Sequence, residues 1–293
     1  MKLLTYKYED AEKIGILDPS ETYILPLGQF GIFSRTMNEL IDSPDDLKKL
    51  EAADLEGAAE RVLYSEVVTC APIPCPKQDI ICLGINYMAH AEESARFKKE
   101  AFGGERPYAV YFSKRVNEAA GSGWDIPSHS DITKQLDYEA ELAVIIGKDT
   151  KNVQPEDAGD YIFGYTVLND ISARELQIRH KQWYFGKSLE GSTPMGPWIV
   201  TKDELEFPLK RRITSTVNGE LRQDSNTELL IFSIQHVISE LSMGMTLKAG
   251  TIISMGTPAG VGMGMEPPTF LKAGDVVECW IEGIGALTNR IAD

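Results

Sequence analysis

Three sets of residues in this 293-residue chain have types and spacings that could do chemistry. The first lies in Asp137-Tyr138-Glu139-Ala140-Glu141-Leu142-Ala143-Val144-Ile145-Ile146-Gly147. Its apolar, β-prone second half, closed by a glycine, predicts a strand buried on both faces. Side chains alternate along a strand, so Asp137, Glu139 and Glu141 share the side of Ala143 and Ile145. The segment holds no lysine or arginine, and buried charge without a partner costs several kcal/mol. A hard divalent cation held by oxygen ligands would answer that need. The same spacing fits carboxylates at a strand end that emerges into solvent. Phe163 to Asp170 reads as a second strand ending in a carboxylate. Asp170 is then either a third oxygen ligand or part of the start of the next helix, where Ser172 and Glu175 form a capping-box pattern.

The second set is His90 and Glu93, at i and i+3 of an alanine-rich segment with helical propensity. A histidine steered by a carboxylate can deprotonate a water; an exposed pair on a helix end has the same spacing. The third set is basic and polar. Lys114 closes a strand from Tyr108, and Lys187 sits in the aromatic, glycine-rich connection 183–198, which suits a site wall. Either lysine could also be solvated, as an edge lysine or a loop lysine. Arg174, Gln177 and Lys181 fall on one helix face. The glycine-rich loop Gly256–Gly264 lacks the Gly-Lys-Ser/Thr of a nucleotide loop. Its N–H groups and the Thr257 hydroxyl could still take a substrate carboxylate. Phe97 to Pro107, just after the His-Glu pair, is a lid candidate.

The elements that must position these residues fall into two parts. Residues 1–70 read as a small α+β unit, the alternating prolines of 71–77 as an extended linker, and 78–293 as the chemical unit. With 43% hydrophobic and 25% charged residues the composition is that of a globular protein. The net charge of −15 argues against nucleic acid and anionic membrane surfaces as partners, and an anionic substrate would need a local basic pocket or a metal. Cys70, Cys75, Cys82 and Cys279 lack zinc or thioredoxin spacing and suit a reducing compartment. With no apolar stretch that reads as a signal or a span, the expected location is the cytoplasm.

From about residue 79 to 291 the chain resembles the fumarylacetoacetate hydrolase family. The resemblance rests on several motifs in order: Gly84-x-Asn86-Tyr87-x-x-His90-x-x-Glu93, Phe112-x-Lys114, Asp137-Tyr138-Glu139-x-Glu141, Asn169-Asp170-x-x-x-Arg174-x-x-Gln177, Gly186-Lys187-Ser188, Pro194-Met195-Gly196-Pro197 and Gly256-Thr257-Pro258-x-Gly260-Val261. It implies a mixed α/β, β-rich fold: a β-sandwich or β-roll core with few helices, working as a homodimer. It implies Mg²⁺ or Mn²⁺ on Glu139, Glu141 and Asp170, with Ca²⁺ as a non-native occupant. Asp137 would then stand outside the coordination sphere or in solvent.

The implied substrates are small anionic 2-keto or 2,4-diketo acids. Lys187 would face the reacting enolate, Thr257 the substrate carboxylate, and Lys114, Arg174, Gln177 and Tyr87 the rest of the substrate. The expected reaction is hydrolysis of a carbon–carbon bond in an acylpyruvate, with His90, oriented by Glu93, activating the water. An oxaloacetate decarboxylase and a diene-dioate isomerase or tautomerase would use the same site. A metal-dependent binding protein would have no need of the base.

Overall fold

The computed structural model describes residues 1–9, 11–104 and 107–293. Among them, eleven strands form one mixed sheet and five more form a second sheet. The strand Ala140–Ile146 lies inside the large sheet, antiparallel to Ile162–Asn169 on one side and to Ile252–Ser254 on the other. Every residue of it is buried, as the apolar run predicts. Leu142, Val144 and Ile146 pack into the core shared with Ile213, Val277 and Ile281 of the smaller sheet. Ala143 and Ile145 join the opposite core with Leu3, Ile16, Ile199 and Leu40. The smaller sheet covers one face of this strand and the N-terminal part of the chain covers the other, which removes the need for polar alternation. The second sheet opens with the hairpin Arg212–Val217 and Glu220–Asn226, turned at Asn218 and Gly219, both at positive φ.

The first 70 residues do mix strands and helices, but they are not a detached unit. Lys2 and Leu3 pair with Val200 and Ile199, so the N-terminal strands extend the large sheet. The proline-rich stretch is packed: Ala71 and Ile73 are buried, and the carbonyls of Pro72 and Pro74 accept from Thr5 Oγ1 and the Ala119 amide at 2.7 Å each. The boundary at 71–77 is therefore not a gap between two sheets. No helix among the described residues is long and apolar enough to cross a membrane.

Two local expectations change. Leu136–Asp137 forms a short ladder of its own with Ser172–Ala173, so the alternation starting at Ala140 does not run back through Asp137. That ladder also delays the helix to Arg174–Arg179, and Ser172 donates to the Asp170 carbonyl without capping anything. The capping box is absent because Glu175 instead accepts from Thr133 Oγ1 and the Lys134 amide, both at 2.8 Å. Of the lid candidate, Phe97 and Lys98 close the helix Met88–Lys98, 99–104 follow without regular structure, and Glu105 and Arg106 lie outside the described residues.

Candidate active site

Two neighbouring strands bring the acidic residues together. Glu139 and Glu141 come from the start of the central strand, and Asp170 follows the end of its neighbour, since Ala140 is in register with Asn169. The Asp170 amide donates to the Glu139 carbonyl at 2.9 Å, and the Asn169 side chain accepts from the Glu139 amide at 3.0 Å. Carboxylate oxygens of Glu139, Glu141 and Asp170 fall within 4.8 Å of one another, and all three residues are buried.

Cations from flanking elements answer most of this charge. Lys187 bridges Glu139 at 2.7 Å and Asp170 at 2.6 Å. Lys114 donates to the other Asp170 oxygen at 2.7 Å and to the Ile171 carbonyl. Arg174 lies between Asp137 at 2.9 Å and Glu139 at 2.6 Å. Four carboxylates thus face three cations, and of the four Glu141 is the one in no ion pair among the described residues. Its Oε2 has only the Ser254 hydroxyl at 2.5 Å and the Gly256 amide at 2.9 Å. Burial, then repulsion from Asp170 and Glu139, pushes Glu141 well above the usual carboxylate range. Burial works the same way on Glu139, but Lys187 and Arg174 outweigh it and hold Glu139 well below that range. Burial disfavours the Lys187 ammonium, yet Asp170 and Glu139 lift its pKa, so it stays charged.

The charge deficit at Glu141 and an all-oxygen donor set fit a hard divalent cation. Glu139, Glu141 and Asp170 would hold it.

Above the triad lies a cavity of about 370 Å³. Glu139, Glu141 and Lys187 form part of its floor, with Arg174, Gln177 and Thr257 around them. His90 enters from the helix Met88–Lys98. Its Nδ1 lies 3.0 Å from Glu93 Oε2, and both side chains are buried, so they are not an exposed surface pair. Glu93 Oε1 in turn accepts from the Gly260 amide at 3.0 Å, which ties the helix to the glycine-rich loop. A carboxylate on Nδ1 leaves Nε2 as the working nitrogen.

Two expected substrate contacts do not reach the cavity. Lys114 is fully buried and spent on Asp170 and Ile171, and Tyr87 is buried outside the cavity wall. Thr257 lines the wall, but its hydroxyl already donates to the Ala140 carbonyl and accepts from Gln223 Nε2. The loop amides are likewise committed inward: Gly256 to Glu141, Gly260 to Glu93, and Gly262 and Met263 to Asp137. Asp137 is not in solvent. It is completely buried against Arg174.

The connection read as a site wall does supply Trp183, while sequence reasoning missed Phe112 and Ile85 as wall residues. Trp183 lies over Gly84, where a Cβ would come within 2.2 Å of the ring, and meets Phe112 edge-to-face at 5.2 Å. Phe112 also faces the Lys187 ammonium at 5.1 Å. Ile85 lines the wall at φ +60, rare for a β-branched residue. The next side chain, Asn86, clamps it by bonding Phe232 and the Met255 carbonyl. The adjacent Gly84 was the available signal.

Residues 79–292 match the family described as fumarylacetoacetate (FAA) hydrolase, C-terminal. The chain belongs to the fumarylacetoacetate hydrolase family. It is 49% identical over 227 residues to the oxaloacetate tautomerase YisK of Bacillus subtilis, which covers 78% of this chain and 74% of that protein. Its fold is similar to the fumarylacetoacetate hydrolase of the psychrophile Exiguobacterium antarcticum, at 36% identity and a TM-score of 0.84 over 100% of this chain and 99% of that one. It is also similar to a maleylpyruvate hydrolase of Sphingobium sp. SYK-6 solved with manganese(II) and pyruvate, at 27% identity and a TM-score of 0.78 over 100% and 99%. Members of this family include hydrolases, isomerases and a tautomerase, and the mixed, strand-rich fold is theirs.

Proposed function

We propose that this protein is a divalent-metal-dependent enzyme of 2-oxo acid enol chemistry, interconverting the enol and keto forms of a short dicarboxylate of the oxaloacetate type. The carrying observation is His90, held by Glu93 and lining the same cavity as Glu139, Glu141 and Lys187. Moving one proton between carbon and oxygen needs a base and a stabilised enolate, and these residues offer both. The similarity to the B. subtilis oxaloacetate tautomerase supports this choice of reaction.

His90 takes the proton from the carbon next to the oxo group through Nε2, and Glu93 stabilises the imidazolium that results. The Lys187 ammonium faces the negative oxygen that develops, and His90 returns the proton there. A bound Mg²⁺ or Mn²⁺ would supply Lewis-acid polarisation of the oxo group. Lys98 and Lys181 at the cavity rim give a chain of charge −15 a local basic field for an anion. The reading includes a homodimer in the cytoplasm: the first rests on the family resemblance, the second on four free cysteines.

The second reading is acylpyruvate hydrolysis. The His90–Glu93 pair favours it, since the pair can equally take a proton from water. One experiment separates the readings. The enzyme is given enol-oxaloacetate, and loss of enol absorbance and release of CO₂ are followed; short acylpyruvates are then assayed for pyruvate and free acid. Metal-dependent ketonisation without CO₂ is expected. If ketonisation stays at the buffer rate while acylpyruvates are cleaved, the tautomerase reading is wrong and the hydrolase reading stands.

A further inference from the structure

The side chains of Asp137 and Tyr138 do not line the cavity, yet they connect the segment that leads into Glu139 and Glu141 to the loop that holds Glu93. Asp137 is completely buried and accepts four hydrogen bonds from three separate segments. Its Oδ1 takes the Gly262 amide at 2.7 Å and the Tyr138 amide at 2.9 Å. Its Oδ2 takes the Met263 amide at 3.0 Å and Arg174 Nε at 2.9 Å. Tyr138 donates its hydroxyl to the Gly260 carbonyl at 2.8 Å, while the Gly260 amide points to Glu93 at 3.0 Å.

The loop can only be held this closely because it is built of glycine. A Cβ at Gly262 would lie 2.7 Å from Asp137 Oδ1 and 2.2 Å from the Thr269 carbonyl. Gly260 has φ +105, and a Cβ there would meet the Arg222 carbonyl at 2.0 Å. Asp137 also occupies one edge of the Arg174 guanidinium, whose NH1 lies 2.6 Å from Glu139. Without the Asp137 charge, Arg174 would bear on Glu139 alone and compete with any cation that Glu139 holds.

We infer that Asp137 and Tyr138 are positioning residues that set the His90–Glu93 pair against the carboxylate triad, acting through the Gly260–Met263 loop and Arg174. The inference rests on the roles given above to that pair and to the triad. Its expected effects differ for the two residues. Tyr138 acts only on the loop, whereas Asp137 acts on both the loop and Glu139.

The test compares Tyr138→Phe and Asp137→Asn with Asn289→Ala. Asn289 is buried and bonds the Gly121 and Trp124 carbonyls, outside the cavity wall, so its loss is a purely structural control. Three quantities are read at a temperature where all variants are folded: hydrogen–deuterium exchange of residues 256–264, Mn²⁺ affinity by electron paramagnetic resonance of the free ion, and kcat and KM for ketonisation. Tyr138→Phe should speed exchange in the loop, leave Mn²⁺ affinity unchanged and lower kcat about 5-fold, the loss of one hydrogen bond. Asp137→Asn should speed exchange, weaken Mn²⁺ binding on the order of 10-fold and lower kcat on the order of 100-fold, as for other residues that orient metal ligands. Asn289→Ala should lower the melting temperature and change none of the three. If the two variants lose melting temperature while loop exchange and Mn²⁺ affinity match the Asn289→Ala control, the inference is overturned. Exchange and Mn²⁺ affinity need no substrate, so a wild-type protein inactive on oxaloacetate would refute the proposed reaction without touching this result.

Discussion

The floor of the cavity and the helix above it are held by different means. On the floor, Glu139, Glu141 and Asp170 lie among Lys187, Lys114 and Arg174, and Glu139 and Asp170 are each paired with two of these cations, while Glu141 is held by Ser254 and Gly256. The helix Met88–Lys98 meets the glycine-rich loop through the Glu93–Gly260 bond and the Arg96–Gly264 bond at 3.2 Å, with Arg96 exposed. A buried charge network fixes its members, because displacing any one strands its neighbours. Two bonds at a partly wet edge can open. The floor is thus suited to holding a cation and the helix to bringing a base to it. Floor substitutions should change metal affinity, and helix substitutions should change turnover at constant metal affinity.

The largest effect is expected from Glu141→Gln. Removing one ligand charge should weaken Mn²⁺ binding on the order of 100-fold or more and take activity with it. Glu141 lacks a cation partner, so the metal-free variant should melt no lower than the metal-free wild type. Titration of Mn²⁺ beside a thermal melt checks both. Retained Mn²⁺ affinity would remove Glu141 from the ligand set. His90→Gln is the counterpart on the helix. It should keep Mn²⁺ affinity within error and lower kcat by roughly 10²- to 10⁴-fold, the usual value of a positioned base. An active His90→Gln enzyme would end the role given to the pair.

Gly264→Ala probes the contact between the two regions. A Cβ at Gly264 would lie 1.9 Å from the Glu93 carboxylate and 2.1 Å from its Cγ, a flexible side chain that must swing aside. The protein should therefore fold normally while Glu93 turns away from His90. A kcat about 10-fold lower at constant Mn²⁺ affinity is expected, since small misplacements of a catalytic group are costly. Wild-type kcat would mean that His90 does not need Glu93.

These two regions were also legible in the sequence to different degrees. The floor strand was readable because the apolar run through Gly147 leaves few alternatives, whereas the strand end at Asp170 offered either a third carboxylate opposite it or the start of a helix. Periodicity failed at Asp137, where a second short ladder resets the alternation, and no local pattern announces a ladder of two residues. The fates of Lys114 and Thr257 were unreadable for a related reason. Lysine or threonine beside a site can serve substrate or scaffold, and only the three-dimensional partners decide. The loop amides show the same ambiguity. Glycines that could cradle a ligand here cradle the protein's own carboxylates. The N-terminal strands join the sheet through pairing across about two hundred residues, which local sequence does not encode.

A pH series sharpens the account of the floor. In the metal-free protein, burial and then Asp170 and Glu139 raise the Glu141 pKa. The folded chain then keeps a proton that the unfolded chain releases above about pH 4.3. In that window the unfolded state binds fewer protons, so this group's contribution to stability falls as pH rises toward the folded pKa. Cation binding expels the proton and cancels the loss. The gain in melting temperature on adding Mn²⁺ should therefore grow as pH rises above about 5, beyond its growth in Glu141→Gln. A gain that is flat with pH would show that Glu141 is already ionised without metal.

The smallest effect should come from the rim. Lys98 ends the helix and Lys181 follows Arg174–Arg179 at φ +60; both are exposed, and both line the cavity mouth. Exposed charges attract an anion through water and salt, so each is worth little alone. Lys98→Met and Lys181→Met should each raise KM about 2- to 5-fold at low ionic strength, with kcat unchanged, and the difference from wild type should shrink as salt is added. A dicarboxylate substrate should lose more than a monocarboxylate of the same length. A larger loss for the dicarboxylate that fades with salt is what its second charge alone gives, and the rim then only draws anions in. A dicarboxylate loss that survives high salt would mean that the rim touches the second carboxylate.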